Sequence, residues 1–263
     1  MSQRRTSPKH PGTLAFALRA LGRDDLPATI AVAGRTYRHA CTVKHDFYAA
    51  TGFYEDDAGL RVVLKMGRTN DFAGIPLEWL GRYLRARETR FYRTLCDLPN
   101  VPAILGTVGT TGFVHKFVSG QPLSNDRPVP DGFFQQLQNL IAELHWRGIA
   151  YVDTNKPENI LLGDDGHPHL IDFQISHDLH ELGDWWLNRW VLARLQKEDV
   201  YHFLKHKRRL RPDELTVEEE VASTRPSFWI RAHRFITKPY FLIRRRAFKR
   251  LRETGQLLPE GSK

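Results

Sequence analysis

Cysteine is almost missing from this chain. Cys41 and Cys96 are the two it has in 263 residues, and they lack metal-ligand spacing. Neither a disulfide framework nor a zinc centre is indicated, and a reducing, cytoplasmic compartment is expected. Long apolar runs are missing as well: none approaches the roughly 20 residues that span a bilayer. The stretch Leu14 to Leu21, which follows the basic start Met1-Ser2-Gln3-Arg4-Arg5, is broken by Arg19 and leads to no small-residue cleavage site, so a signal peptide is not expected. There is no internal repeat and no low-complexity tract. Acidic residues are absent from 221–252, which carry ten Lys or Arg, so the net charge of +9 is concentrated in this tail.

What is present includes a polar pair around a turn. The apolar runs Ile160-Leu161-Leu162 and His169-Leu170-Ile171 flank Asp165-Gly166, the pattern of a two-residue hairpin. With Asp165 and Gly166 at its centre, 164 pairs with 167 and Asn159 falls opposite Asp172. Pro168 then occupies a non-hydrogen-bonded position, where its missing N–H costs nothing. The Cα atoms of Asn159 and Asp172 would be about 4.5 Å apart. Their side-chain oxygens suit one Mg²⁺ that also takes phosphate oxygens.

The run Leu144-His145-Trp146-Arg147-Gly148-Ile149, followed by Asp153, Lys156-Pro157-Glu158-Asn159 and Asp172-Phe173, resembles the catalytic loop and metal-binding segment of protein kinases. The resemblance covers residues 40–176. It implies an α+β, two-lobed protein-kinase-like fold, with a small antiparallel-sheet lobe carrying one helix and a larger, mainly helical lobe. ATP and Mg²⁺ are the implied cofactors. Asp153 would accept the substrate hydroxyl proton, Lys156 would neutralise the moving phosphoryl group, and Asn159 and Asp172 would hold the metal. The expected organisation is an N-terminal extension (1–27), a small nucleotide-binding lobe (28–118), a large catalytic lobe (119–215) and a basic aromatic tail (216–263).

Several residues depart from the family pattern. Five residues separate Asp153 from Asn159 where the family has four, and Tyr151-Val152 stands in place of His-Arg. Without that Arg, control through a phosphorylated loop is not expected. Gln174 replaces the Gly of D-F-G, which resembles RIO-type atypical kinases and lipopolysaccharide-core sugar kinases. Nothing like A-P-E follows Asp172, so a peptide-docking platform is expected to be absent.

Upstream, Arg61-Val62-Val63-Leu64-Lys65 reads as a strand ending in a lysine, similar to the V-A-I-K strand whose lysine grips nucleotide phosphates. A helix opened by Pro76 and running from Leu77 to Leu95 should carry its acidic partner, with Glu88 favoured and Glu78 the alternative. No G-x-G-x-x-G precedes Lys65. The segment Lys44 to Tyr54 reads as strand–turn–strand with Ala49, Ala50, Thr51 and Gly52 at its tip, where backbone N–H groups could approach phosphate; an ordinary tight turn fits equally. Gly112 to Val118 resembles the last small-lobe strand, an edge strand, leading to a hinge in which Lys116 and Val118 would face adenine; Ser119-Gly120-Gln121-Pro122 also reads as a linker. Phe133, Phe134, Leu137, Leu140, Ile141 and Leu144 recur at helical spacing between Asp131, the expected N-cap, and Gly148. His145 reads as structural.

Two basic stretches complete the reading. Lys205 to Arg211 is either a solvated helix end or a surface for an acidic acceptor. The tail interleaves aromatics with cations, as in Phe228-Trp229-Ile230-Arg231 and Phe241 to Arg250. It suits packing on the large lobe, an anionic membrane face, or, less well, nucleic acid. Protein serine or threonine is the first expected acceptor and a sugar or lipid-linked glycan hydroxyl the second. The expectations of other classes are a nucleotide-binding pseudokinase scaffold and a basic peripheral-membrane or RNA-binding factor.

Overall fold

The computed structural model describes residues 16–224. They divide into a first unit, reaching to Thr89 and including Ile104–Phe117, and a second, made of Arg90–Ala103 and the residues from Val118 onward.

The first unit is an antiparallel sheet of β1 (Thr29–Val32), β2 (Arg35–His45), β3 (Ala49–Glu55), β4 (Arg61–Gly67), β5 (Ile104–Val108) and β6 (Gly112–Lys116), in the order β1-β2-β3-β4-β6-β5. Strand periodicity sends Val62, Leu64 and Met66 of β4 to a core shared with Ile30, Tyr37 and Tyr54. Leu21 and Leu26 join the same core, so the segment read as an extension is packed into the unit from residue 16 on. The fully buried Arg68 secures it, donating to the carbonyls of Ala17 at 2.8 Å, Phe47 at 2.9 Å and Asp71 at 3.1 Å. The expected edge strand β6 is an interior one, paired with both β4 and β5.

Helix α1 (Glu78–Thr94) starts just after Pro76. Its Gly81 has no room for a side chain, because a Cβ there would lie 2.1 Å from the carbonyl oxygen of Arg68. A Cβ on Gly67 would likewise meet the Gly81 oxygen at 2.9 Å. Two backbones therefore touch where α1 crosses the end of β4.

In the second unit, helix α2 (Phe133–Trp146) buries all six apolar residues of its periodic stripe. It ends as a Schellman motif: Gly148 at φ 71 donates to His145 O at 3.0 Å, and Ile149 donates to Leu144 O at 2.9 Å. Its N-cap is Gly132, not Asp131, whose exposed carboxylate pairs with Arg211 at 2.9 Å instead. A three-stranded sheet, β7 (Gly120–Pro122), β8 (Ile160–Gly163) and β9 (Pro168–Leu170), has β8 at its centre. The segment that also read as a linker thus supplies strand β7.

The β8–β9 hairpin is present with a different register. Ile160 pairs with Leu170 and Leu162 with Pro168, so the loop holds three residues, 164–166, instead of two. A two-residue type I′ turn needs positive φ at both central positions, and only Gly166, at φ 80, adopts it. Asp165 keeps an ordinary backbone and its carboxylate accepts the His167 N–H at 2.9 Å. Pro168 still falls at a non-hydrogen-bonded position, and Asn100 accepts the outward Leu170 N–H at 2.9 Å.

Helix α3 (Trp186–Leu210) packs against α4 (Val217–Thr224) through Lys207, which pairs with Glu219 at 2.7 Å. Arg211 binds Asp213 at 2.7 Å and Glu214 at 2.8 Å. Much of the second basic stretch is therefore used internally. The expected tail begins inside α4, and its remainder lies outside the described residues. Among the described residues, no helix is long and apolar enough to cross a membrane.

Candidate functional site

The first unit brings Lys65 and Glu88 together. Val62, Leu64 and Met66 face the core, so Val63, Lys65 and Gly67 face the other side, toward α1. On α1, Gly81 and Glu88 are two turns apart and share a face. The Gly67–Gly81 contact sets the helix against the strand, and Lys65 Nζ then lies 2.9 Å from Glu88 Oε1 and 2.8 Å from Oε2. Glu88 is buried. Glu78, the alternative partner, accepts the Thr110 hydroxyl at 2.9 Å and is half-exposed.

Thr51 and Gly52 are not at a turn tip. Both lie inside β3, with Thr51 paired to Lys65 and Gly52 to Leu64. Gly52 is small for packing, since a Cβ there would meet Leu26 Cδ1 at 2.6 Å. The turn itself is Asp46-Phe47-Tyr48, and the Asp46 carboxylate accepts the N–H groups of Tyr48 at 2.8 Å and Ala49 at 3.0 Å. Lys116 closes β6, paired with Val62, and is exposed. Val118 follows, where the chain returns to the second unit.

The second unit gathers Asp153, Lys156, Asn159 and Asp172. Two consecutive 3-10 turns, Asp153–Asn155 and Pro157–Asn159, take up the extra loop residue. Asp153 Oδ2 thereby accepts from Lys156 Nζ at 2.7 Å and from Asn159 Nδ2 at 3.0 Å. Because the Asn159 amide gives its nitrogen to Asp153, its oxygen turns the other way. In the observed register Asn159 pairs with Ile171, whose N–H donates to the Asn159 carbonyl at 3.1 Å. Asp172 therefore lies one residue past the partner of Asn159, at φ 63, a conformation that Asp tolerates better than most residues.

The loop before Asp153 is strained and firmly held. Val152, a β-branched residue, sits at φ 69 and ψ −39, and the Asp153 N–H donates across it to Tyr151 O at 2.8 Å, forming a γ-turn of the rare positive-φ kind. Such a conformation costs on the order of 1–3 kcal/mol and persists only where its surroundings over-determine it. Here the fully buried Asp199 of α3 does so, accepting the N–H groups of Tyr151 and Val152 at 2.8 Å each and the Thr154 hydroxyl at 2.6 Å. His145 Nε2 approaches the same carboxylate at 3.2 Å, a structural role. His206 donates to the Thr154 carbonyl at 2.9 Å, and burial pushes its imidazole down to about 4.

Tyr151 and Tyr92 align the strand ends. The Tyr151 hydroxyl donates to the carbonyls of Ile171 and Asn159. Burial, reinforced by the charges of Asp172 and Asp153, holds its phenol far above the ordinary range and therefore neutral. Phe173 packs edge-on against both Tyr92 and Tyr151, and the Asp172 N–H donates to the Tyr92 hydroxyl at 3.1 Å. Further along, Arg90 grips the Asp178 carboxylate with both terminal nitrogens and approaches Glu181 at 3.6 Å. Ala150 and His177 exchange backbone hydrogen bonds of 2.8 and 2.9 Å. The segment after Asp172 is thus tied down by ion pairs, backbone bonds and side-chain hydrogen bonds from Ser176 to Tyr151 O at 3.0 Å and between His177 and Asn188 at 2.8 Å.

Burial raises the Asp153 carboxyl above the ordinary Asp value; the Lys156 ammonium pulls it back and the Asp172 carboxylate pushes it up again. Asp153 and Asp172 are within electrostatic reach of each other, and with the Asn159 amide they are hard-oxygen groups of the kind that could hold Mg²⁺ completed by phosphate oxygens. Among the described residues no group of three or more His, Cys, Asp or Glu could hold a metal by itself. Asp199, Tyr92 and Arg90 carry no motif signal in the sequence, and Tyr151 is visible there only as a departure from His-Arg. Asp199 leaves no local trace there, since the loop it holds is more than forty residues away.

No family model matches the sequence, and no curated protein matches it. Solved structures do. The Rio2 kinase of Chaetomium thermophilum, in a complex described as ADP/Mg²⁺-phosphoaspartate, aligns with a TM-score of 0.51 at 18% identity, covering 77% of this chain and 62% of that one. A second structure of that kinase gives 0.50 at 18%, covering 77% and 64%. The BubR1 kinase domain gives 0.50 at 16%, covering 71% and 66%. The chain therefore spans a little under two thirds of the length of these chains. The fold is protein-kinase-like, an antiparallel-sheet unit with a helix and a mainly helical unit.

Proposed function

We propose that this protein is an ATP- and Mg²⁺-dependent phosphotransferase acting on an alcohol hydroxyl. Asp153 carries the reading: one carboxylate oxygen receives both Lys156 and Asn159, at the end of a loop whose strain Asp199 sustains. Asp153 would orient the acceptor hydroxyl and take its proton, and its raised pKa suits a base. Lys156 would lie along the transferring phosphoryl group, and Lys65, held by Glu88, would bind nucleotide phosphates. Bound Mg²⁺, held by Asn159 and Asp172, would neutralise phosphate charge. The Rio2 complex with ADP and Mg²⁺ supports the choice of cofactors. A protein serine or threonine is the first acceptor and a glycan hydroxyl the second. The exposed, unpaired thiols Cys41 and Cys96 fit a reducing cytoplasm.

One observation favours a nucleotide-binding scaffold instead. The turn before β3 has no glycine, and two of its N–H groups are already taken by Asp46, so it offers phosphate little. Melting with and without Mg-ATP, followed by transfer of labelled phosphate to protein and glycan acceptors, separates the readings. Saturating Mg-ATP near a hundred times Kd should raise the melting point by roughly 5–10 °C, and Asp172→Ala should lose the Mg²⁺-dependent part. No shift in the wild type at millimolar Mg-ATP would overturn the reading; a shift without transfer to any acceptor would leave the scaffold.

A further inference from the structure

A cluster of large apolar side chains lies open to solvent in the second unit, outside the residues assigned to the reaction. Leu182, Trp185, Trp186 and Trp190 are 63, 45, 76 and 49% exposed, with Leu187 beside them in sequence. Three of the chain's six tryptophans fall within six residues. Trp186 and Trp190 are one turn apart on α3, and the same face continues through the exposed Ala193, Lys197 and Val200. Soluble surfaces seldom leave so many indoles uncovered, and a contiguous apolar patch marks an interaction site.

The composition points to one occupant. Tryptophan, with an apolar ring and a polar N–H, is the residue that settles at the headgroup level of a bilayer. Two of the cations beside the patch are neutralised, Arg189 lying on Asp184 and Arg194 on Glu198, so the patch offers insertion and little attraction of its own. Attraction is supplied elsewhere in the chain. Helix α4, packed on α3 through Lys207 and Glu219, leads into 225–263, where eleven Lys or Arg face two Asp or Glu. A shallow apolar anchor joined to a polybasic segment is the two-part arrangement that stable peripheral binding needs. A second copy is the poorer occupant, since each chain carries +9 and would repel its twin.

We propose that the tryptophan face formed by Leu182, Trp185, Trp186 and Trp190 inserts into the interfacial zone of an anionic bilayer, with the basic C-terminal segment supplying the long-range attraction. This stands apart from the phosphotransfer reading and can fail without it.

The test uses the full chain with phosphatidylcholine vesicles containing or lacking phosphatidylglycerol. Wild-type protein should bind the anionic vesicles, its indole emission should shift to the blue, and brominated lipid should quench it. Trp186→Ser/Trp190→Ser should weaken binding by about tenfold or more and remove most of the quenching, with an unchanged melting point because both side chains are exposed. Trp79→Ser, which deletes an exposed indole from α1, should leave binding as it was. Trp186→Phe/Trp190→Phe, which keeps apolar bulk, should restore binding, with quenching above that of the serine variant, carried by Trp185, and below that of wild type. The proposal is overturned if wild type ignores both kinds of vesicle, if the double serine variant binds and is quenched like wild type, or if that variant instead dissolves a dimer seen by sedimentation.

Discussion

The two units position their candidate site residues by different means. In the first, position comes from backbone packing: Gly67 and Gly81 let α1 press on β4, and one ion pair, Lys65–Glu88, follows from that contact. In the second, position comes from hydrogen bonds that converge on a buried carboxylate, with Asp199 holding a strained loop and Asp153 gathering Lys156 and Asn159. The first arrangement is intolerant of added volume. The second is intolerant of lost polarity, because a buried donor without an acceptor costs more than a hydrogen bond returns. Substitutions that are mild in one unit should therefore be severe in the other.

The largest effect is expected at Asp199. Asp199→Ala would leave the N–H groups of Tyr151 and Val152, the Thr154 hydroxyl and His145 without their shared acceptor, and would release the Val152 γ-turn. Removing one partner from such a buried charged network costs about 3–5 kcal/mol. Urea denaturation should show that loss, and any phosphotransfer should vanish even under conditions where the variant is folded. Wild-type stability in Asp199→Ala would mean that the loop is held by something else.

What could be read in advance was what short-range pattern encodes. The α2 stripe and the Gly148 stop are legible because helical periodicity and the left-handed preference of glycine act within one turn. Lys65 and Glu88 could be picked out because strand and helix follow each other closely. The hairpin register differs by one residue from the two-residue turn because Asp165-Gly166 matches two turn types; the choice between them depends on whether Asp165 accepts a positive φ, and instead its carboxylate binds His167 N–H. Thr51 and Gly52 were misplaced for a related reason. Small residues suggest a tip, yet the glycine is there because Leu26, twenty-six residues earlier in the chain, occupies the space. Asp199 was invisible, since a buried acid on a basic helix acquires meaning only when a distant loop meets it.

Gly81→Ala tests the packing side of the comparison and sets two terms against each other. Helix propensity alone favours alanine over a helical glycine, by up to about 1 kcal/mol. The new Cβ would, however, sit 2.1 Å from the Arg68 oxygen and 2.9 Å from its nitrogen, both backbone atoms, and overpacking of this kind costs about 1–3 kcal/mol. A net loss of stability is expected, with weaker Mg-ATP binding as Glu88 is carried away from Lys65. A more stable protein would show that α1 can shift freely.

The smallest effect on stability, and the finest probe of the second unit, belongs to Lys156. Its side chain is nearly half-exposed, so Lys156→Ala should change stability by no more than about 0.5 kcal/mol. The pH dependence of turnover is where it should be visible. A base acts when ionised, and the Lys156 charge is what lowers an Asp153 carboxyl that burial otherwise raises. Removing it raises that pKa further, so the acid limb of the kcat/KM profile should move to higher pH while the alkaline limb stays. Linkage gives the same sign for folding. A carboxyl whose folded pKa exceeds its unfolded value favours the fold when protonated, and that contribution is lost as pH rises through the folded pKa. The small deficit of Lys156→Ala should accordingly be greatest near neutrality and fade in acid below the ordinary Asp value. An acid limb that stays in place would show that Asp153 is not the titrating base, even if the hydrogen bonds around it are intact.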